Sequence, residues 1–118
     1  MQFVPVTVVE MPQFIRQADG LLTDEERGAV IERLAWNPES GVVMPGTGGV
    51  RKIRWALRGR GKSGGARVIY YYHDESMPIF LLSIFPKNVR VDVSQADKNE
   101  LRRLVPVLVQ SYQERGSK

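Results

Sequence analysis

Apolar and polar positions alternate along the chain in patterns that mark out its elements. Phe3–Val9 is short and β-branched, which predicts a first strand. Pro5 within it predicts a sheet edge, because proline has no N–H to give to a ladder. Met11–Gly20 has no clean period, although Phe14, Ile15 and Ala18 would share one face of a short helix. Thr23-Asp24-Glu25-Glu26 reads as a helix start, with a capping threonine, a glutamate three residues later and acids in the first turn. The helix carries Ala29, Val30, Ile31, Leu34 and Ala35 on its apolar face and stops at Asn37-Pro38. Gly41–Gly49 is expected to be a connection with a short apolar run at Val42–Met44.

Period two then takes over. Ile53, Trp55 and Leu57 alternate with Lys52, Arg54 and Ala56, which predicts a half-buried strand with a cationic outer face. Gly59–Gly65 suits a hairpin connection. In the next strand, Arg67–His73, the residues Arg67, Ile69, Tyr71 and His73 share one face, and Val68, Tyr70 and Tyr72 the other. Asp74–Pro78 turns the chain. Ile79–Phe85 is apolar on both faces except at Ser83, so it is expected to be the central strand, covered on both sides. Pro86–Val93 reads as a loop. Ser94 with Asp97 opens a last helix, running to about Glu114 and closed by Gly116. Its apolar stripe is Leu101, Leu104, Val105, Leu108, Val109 and Tyr112, and Pro106 is expected to kink or split it. The order is strand, one or two helices, three antiparallel strands, helix. That is an α+β fold, a small antiparallel sheet with helices before and after it.

Composition narrows the classes. The 118 residues amount to one domain, 1–118, with 42% apolar and 25% charged residues, ordinary for a globular protein. The absence of cysteine excludes disulfides and thiolate metal sites, and a single histidine excludes a two-histidine ribonuclease mechanism within one chain. No metal and no cofactor is expected. No apolar run approaches the ~20 residues of a membrane span, and the N-terminus lacks signal-peptide character, so a cytoplasmic protein without a membrane partner is expected.

Charge changes the picture more. Arg51, Lys52, Arg54, Arg58, Arg60, Lys62 and Arg67 are seven of the 17 basic residues, in a chain of net charge +4, and no Asp or Glu occurs from Gly41 to His73. A patch so concentrated predicts a polyanionic partner. Arg58, Arg60 and Lys62 fall in the loop, where charge can simply be solvated. Lys52, Arg54 and Arg67 fall within strands and share a face. Without an anion that face repels itself, so its use is to hold phosphates. It also suits RNA cleavage, which needs a deprotonated 2′-OH, a stabilised pentavalent phosphate and a protonated leaving oxygen. Arginine supplies the second need. A lysine crowded by cations can move the proton. His73, at a strand end beside Asp74-Glu75, reads as a turn residue.

These residues also form a recognisable pattern. Pro45–Arg54, Gly64–Tyr71 and Leu82–Asn88, with the upstream Thr23–Glu26 and Leu34–Pro38, resemble the HigB branch of the RelE/ParE toxin superfamily over residues 3–112. The resemblance implies a compact, microbial-ribonuclease-like domain and a bacterial toxin that cuts mRNA in the ribosomal A site by 2′-OH attack, without a metal. It implies a cognate, DNA-binding, HigA-like antitoxin, with the ribosome and mRNA as targets. The family's catalytic basic residues fall on Lys52, Arg54, Arg67 and Lys87: Lys52 or Lys87 as the proton-transfer group, Arg54 and Arg67 on the scissile phosphate. Arg51, Arg58, Arg60, Lys62 and Arg90 would be supplementary RNA or ribosome contacts. Some RelE-type members stack a base on a tyrosine just beyond the last basic position. Asn88–Ser94 contains no aromatic, so that role has no occupant here. Two alternatives share the fold, a ParE-like inhibitor of DNA gyrase and a non-cleaving relic that binds its antitoxin.

Overall fold

The computed structural model describes residues 4–57, 65–89 and 92–116, with side chains as far as Gln113. Its elements are β1 (Val8–Glu10), α1 (Pro12–Ala18), α2 (Asp24–Trp36), β2 (Val42–Val43), β3 (Val50–Ala56), β4 (Gly65–Tyr71), β5 (Ile79–Pro86) and α3 (Gln95–Gly116). The five strands form one sheet in the order β1-β5-β4-β3-β2. The meander β3–β4–β5 is antiparallel as expected, but β1 pairs parallel to β5, so the sheet is mixed. The first strand is Val8–Glu10, shorter and later than the expected Phe3–Val9, and two further placements differ from the expectation. β4, not Ile79–Phe85, is the central strand, because β1 adds outside β5 and β2 adds outside β3. The expected coverage of Ile79–Phe85 on both faces holds, since β5 contributes to the cores on both sides of the sheet. And Val42–Val43, in the expected connection, forms a two-residue edge strand against Arg51 and Lys52.

The capping box at Thr23 and Glu26 is formed in both directions, Thr23 N–H to the Glu26 carboxylate at 2.9 Å and Glu26 N–H to Thr23 Oγ1 at 3.1 Å. α2 then buries Val30 and Leu34, four residues apart, and ends at Trp36 as the Asn-Pro pair dictates. α1 buries Phe14 and Ala18 but leaves Ile15 exposed, so its inward face is narrower than the pattern suggested. α1 also finishes the sheet. β1 pairs with β5 only as far as Leu81, and beyond it Gln17 Oε1 accepts from the Ile84 N–H at 3.0 Å and from Ser83 Oγ at 2.9 Å. A side chain thus takes the place of a missing strand.

Two cores flank the sheet. α1 and α2 pack with Val68, Tyr70, Ile79, Leu81 and Ile84 on one face. α3 packs with Val50, Ile69, Tyr71, Phe80 and Phe85 on the other. A bulge in the β4–β5 pairing between Ile69 and Tyr70 shifts the alternation of β5 by one residue, so that Leu82 and Phe85 both face α3 while Leu81 and Ile84 both face α1 and α2. α3 is a single helix through Pro106, neither split nor ended by it. Pro106 is exposed, as is Arg102, whose carbonyl loses its helical donor there, and water can serve that carbonyl. Tyr112 is exposed rather than part of the stripe.

Candidate anion-binding site

β3 and β4 pair in a register that sets Lys52 opposite Ile69 and Arg54 opposite Arg67. Cross-strand partners share a face, so Lys52, Arg54 and Arg67 point the same way, toward the α3 side of the sheet. α3 covers the part of that face carrying Val50, Ile69 and Tyr71. The corner bearing the cations stays open as a cavity of about 400 Å³, lined by Lys52, Arg54, Arg67 and Asp92 with Ser40 and Val42 among the remaining walls. None of the described side chains of α3 lines it.

The electrostatics are unusual at one pair. Two guanidinium groups directly opposite each other on neighbouring strands repel. Arg54 is exposed, but Arg67 is only 8% exposed. Among the described residues neither has a carboxylate within ion-pair distance. Among the described residues, the one hydrogen bond from the Arg67 side chain goes to the Ala66 carbonyl at a long 3.4 Å. A largely buried cation in that state destabilises the free fold.

Lys52 differs. Its Nζ lies 3.0 Å from Asp92 Oδ2. The acid-free stretch from Gly41 to His73 therefore does not leave this face free of acids, because the chain brings one from forty residues away. The hydrogen bond from Lys52, and then the Val93 N–H, hold the Asp92 carboxyl below the usual carboxylate range. A carboxylate so depressed adds stability above its ordinary range, and that contribution is lost as pH falls from that range through the lowered value of the folded state. Both partners are substantially exposed, so the pair contributes at most about 1 kcal/mol.

The other sequence candidates are placed as follows. Lys87 is exposed at the exit of β5, its N–H bound to the Gly65 carbonyl at 2.8 Å. That puts it at the same end of the sheet as Arg54 and Arg67, although it does not line the cavity. Arg51 points to the opposite face. Its Nη1 donates to the Gly41 carbonyl at 2.8 Å and its Nη2 lies 3.6 Å from Glu39. Arg58, Arg60, Lys62 and Arg90 lie outside the described residues. His73 is a turn residue, with Nδ1 3.0 Å from the Tyr71 hydroxyl and Nε2 3.6 Å from Asp74.

The cavity wall at Ser40 and Val42 is fixed by a buried tyrosine. Tyr70 Oη accepts from the Gly41 N–H at 2.7 Å and donates to the Pro38 carbonyl at 2.8 Å. Burial pushes its pKa up, against the lowering effect of the Gly41 hydrogen bond, so the phenol keeps the proton it donates. Thr47 anchors the next turn, donating to the Met44 carbonyl at 2.7 Å and accepting from the Val50 N–H at 3.0 Å. The Pro45–Gly49 part of the sequence motif is thus a scaffold for β3. Asp92, Ser40 and Val42 were missed from sequence. Only strand register and the course of the loop after β5 bring them to Lys52, and alternation encodes neither.

Fold and cavity define a small α+β domain that presents cations at an open corner of a mixed sheet. The family of the RelE toxin of the RelE/RelB toxin–antitoxin system matches residues 14–115, and the chain belongs to it. Among solved structures the chain is similar to the E. coli toxin RelE in the free state, in a form with two arginines replaced by alanine. The TM-score is 0.52 at 17% identity, covering 74% of this chain and 88% of that one. At that identity the likeness shows the fold. No helix among the described residues is long and apolar enough to cross a membrane.

Proposed function

We propose that this chain is the toxin of a HigB-type toxin–antitoxin pair, a cytoplasmic endoribonuclease that cuts mRNA on the ribosome by 2′-OH attack. The observation that carries the reading is the Arg54–Arg67 pair, two arginines in register on neighbouring strands and on one face, with no carboxylate within ion-pair distance of either among the described residues. A phosphodiester between them removes the repulsion, and the doubly charged pentavalent phosphate removes more of it. The pair therefore binds the transition state more tightly than the ground state, which is what acceleration requires.

In the step itself the 2′-oxygen gives up its proton and attacks phosphorus, and the 5′-oxygen leaves and takes up a proton. The products are a 2′,3′-cyclic phosphate and a 5′-hydroxyl. Side-chain cations carry the charge that a metal would otherwise carry. Lys52, 3.0 Å from Asp92 in the free protein, becomes available to the phosphate or the leaving oxygen once the incoming strand competes Asp92 away. Lys87, at the same end of the sheet, is the second proton-transfer candidate. Arg58, Arg60, Lys62 and Arg90 are proposed as grips on the ribosome or mRNA. The partner expected to neutralise the toxin is a DNA-binding antitoxin of HigA type.

Controlled expression followed by mapping of mRNA 5′ ends tests the reading. Codon-phased cuts within translated regions are expected. Intact mRNA with blocked DNA replication would instead point to a gyrase inhibitor. Asp92→Asn removes the internal competitor and is expected to tighten binding of a non-cleavable RNA oligonucleotide roughly two- to fivefold, as measured by fluorescence anisotropy.

A further inference from the structure

A second groove, of about 600 Å³, runs between α2 and β3, with Glu25, Ala29 and Arg33 on one wall and Arg54, Trp55 and Ala56 on the other. We propose that it is a nucleobase subsite, where the Trp55 ring stacks one base of the bound RNA and the Glu25 carboxylate accepts from that base's N–H donors. The inference rests on the ribonuclease reading of the neighbouring cavity.

Three observations support it. First, Arg54 lines both the groove and the cationic cavity. β2 pairs with β3 only at Arg51 and Lys52, so among the described residues the outer edge of β3 beyond Lys52 has no strand partner. A single strand can pass round that edge, its phosphate on the face of Arg54 and its base on the face of Trp55. Second, the α2 wall is spaced i, i+4, i+8, which lines up Glu25, Ala29 and Arg33 in one row. The single methyl of Ala29 leaves room for a flat ring between the two charged ends. Trp55 is half-buried, packed on the core and still lining the groove. Stacking on an aromatic ring is the usual way a protein holds an unpaired base.

Third, the Glu25 end of the groove favours a base edge over a phosphate, whereas Arg33 and Arg54 are the cations that line it elsewhere. Glu26 is used by the capping box, whereas Glu25 is in no ion pair among the described residues. An ionised carboxylate only accepts hydrogen bonds, so it repels phosphate and favours an N–H edge. Guanine presents two adjacent donors, N1–H and N2–H, to match two carboxylate oxygens. The aromatic missing from Asn88–Ser94 thus has a counterpart on the other face of the sheet.

The test is cleavage by the purified protein of mRNAs on programmed ribosomes, varying one base of the A-site codon at a time. Wild type is expected to prefer guanine at one position. Glu25→Gln should erase that preference while cutting continues. Trp55→Leu should raise the half-saturating concentration about tenfold. Trp55→Phe, which keeps a ring, should recover most of the loss, separating stacking from a packing defect. If Glu25→Gln and Trp55→Leu cut at the same sites, with the same preference and the same concentration dependence as wild type, the subsite is overturned and the groove belongs to a protein partner. In that case continued loss of cutting in Arg67→Ala would leave the cavity reading intact. If wild type cuts nothing on the ribosome, both assignments fall.

Discussion

Arg67→Ala is expected to lower mRNA cleavage by about 10²–10³, the usual cost of removing one preorganised transition-state donor, and to abolish growth inhibition. The same substitution should leave the melting temperature unchanged or raise it. Most truncations of a residue only 8% exposed destabilise a fold, because they leave a hole. Here the removed group is also a cation facing Arg54 across the ladder, without a carboxylate partner among the described residues. Deleting it relieves repulsion that offsets the lost packing. Calorimetry beside the cleavage assay separates this from a folding defect. Full activity in Arg67→Ala would sink the proposed site. Lost activity with a sharply lowered melting temperature would mean that Arg67 is structural.

The largest stability effect outside the two cores is expected at Gly41. A β-carbon there would stand 2.7 Å from Tyr70 Cε1 and Oη and 2.9 Å from the Lys52 carbonyl. None of those three atoms can yield cheaply, since two belong to the fully buried Tyr70 side chain and the third is a backbone carbonyl of β3. Gly41→Ala must therefore push the 38–43 segment off the sheet, breaking the hydrogen bond from Gly41 to Tyr70 and withdrawing Ser40 and Val42 from the cavity wall. The cost should be about 1–3 kcal/mol in urea unfolding, with cleavage falling as well. Tyr70→Phe, which removes one buried and one part-buried hydrogen bond without adding bulk, should cost about 1–2 kcal/mol. The two substitutions strike one contact and should combine less than additively. Additive losses would show that the loop is held by something else.

The sequence carried the parts of the molecule that depend on local period. Thr23 and Glu26 are three residues apart, so their reciprocal cap could be read directly. The common face of Lys52, Arg54 and Arg67 follows from alternation in two strands that pair antiparallel. What alternation does not contain is strand order. Ile79–Phe85 looks central because it is buried on both faces, yet burial on both faces is equally the state of a strand one place from the edge. Helical spacing placed Ile15 and Tyr112 on apolar faces, but a face is buried only where something packs against it, and both are exposed. In the candidate site, Asp92 was hidden for a related reason. A salt bridge across forty residues is set by where a loop returns to the sheet, and charge counts within a segment do not see it.

The parallel pairing of β1 with β5 bears on how the molecule is made. Val8 finds its partner Ile79 only after the whole meander has been synthesised, whereas β3, β4 and β5 meet their neighbours across short connections. Closing a long loop costs more entropy than closing a short one, so contacts of low sequence separation tend to form first. Lys52, Arg54 and Arg67 all belong to that low-separation group. The strands bearing the cations can thus assemble before the first strand to leave the ribosome has been docked, with the seam beside Ile79 closing last.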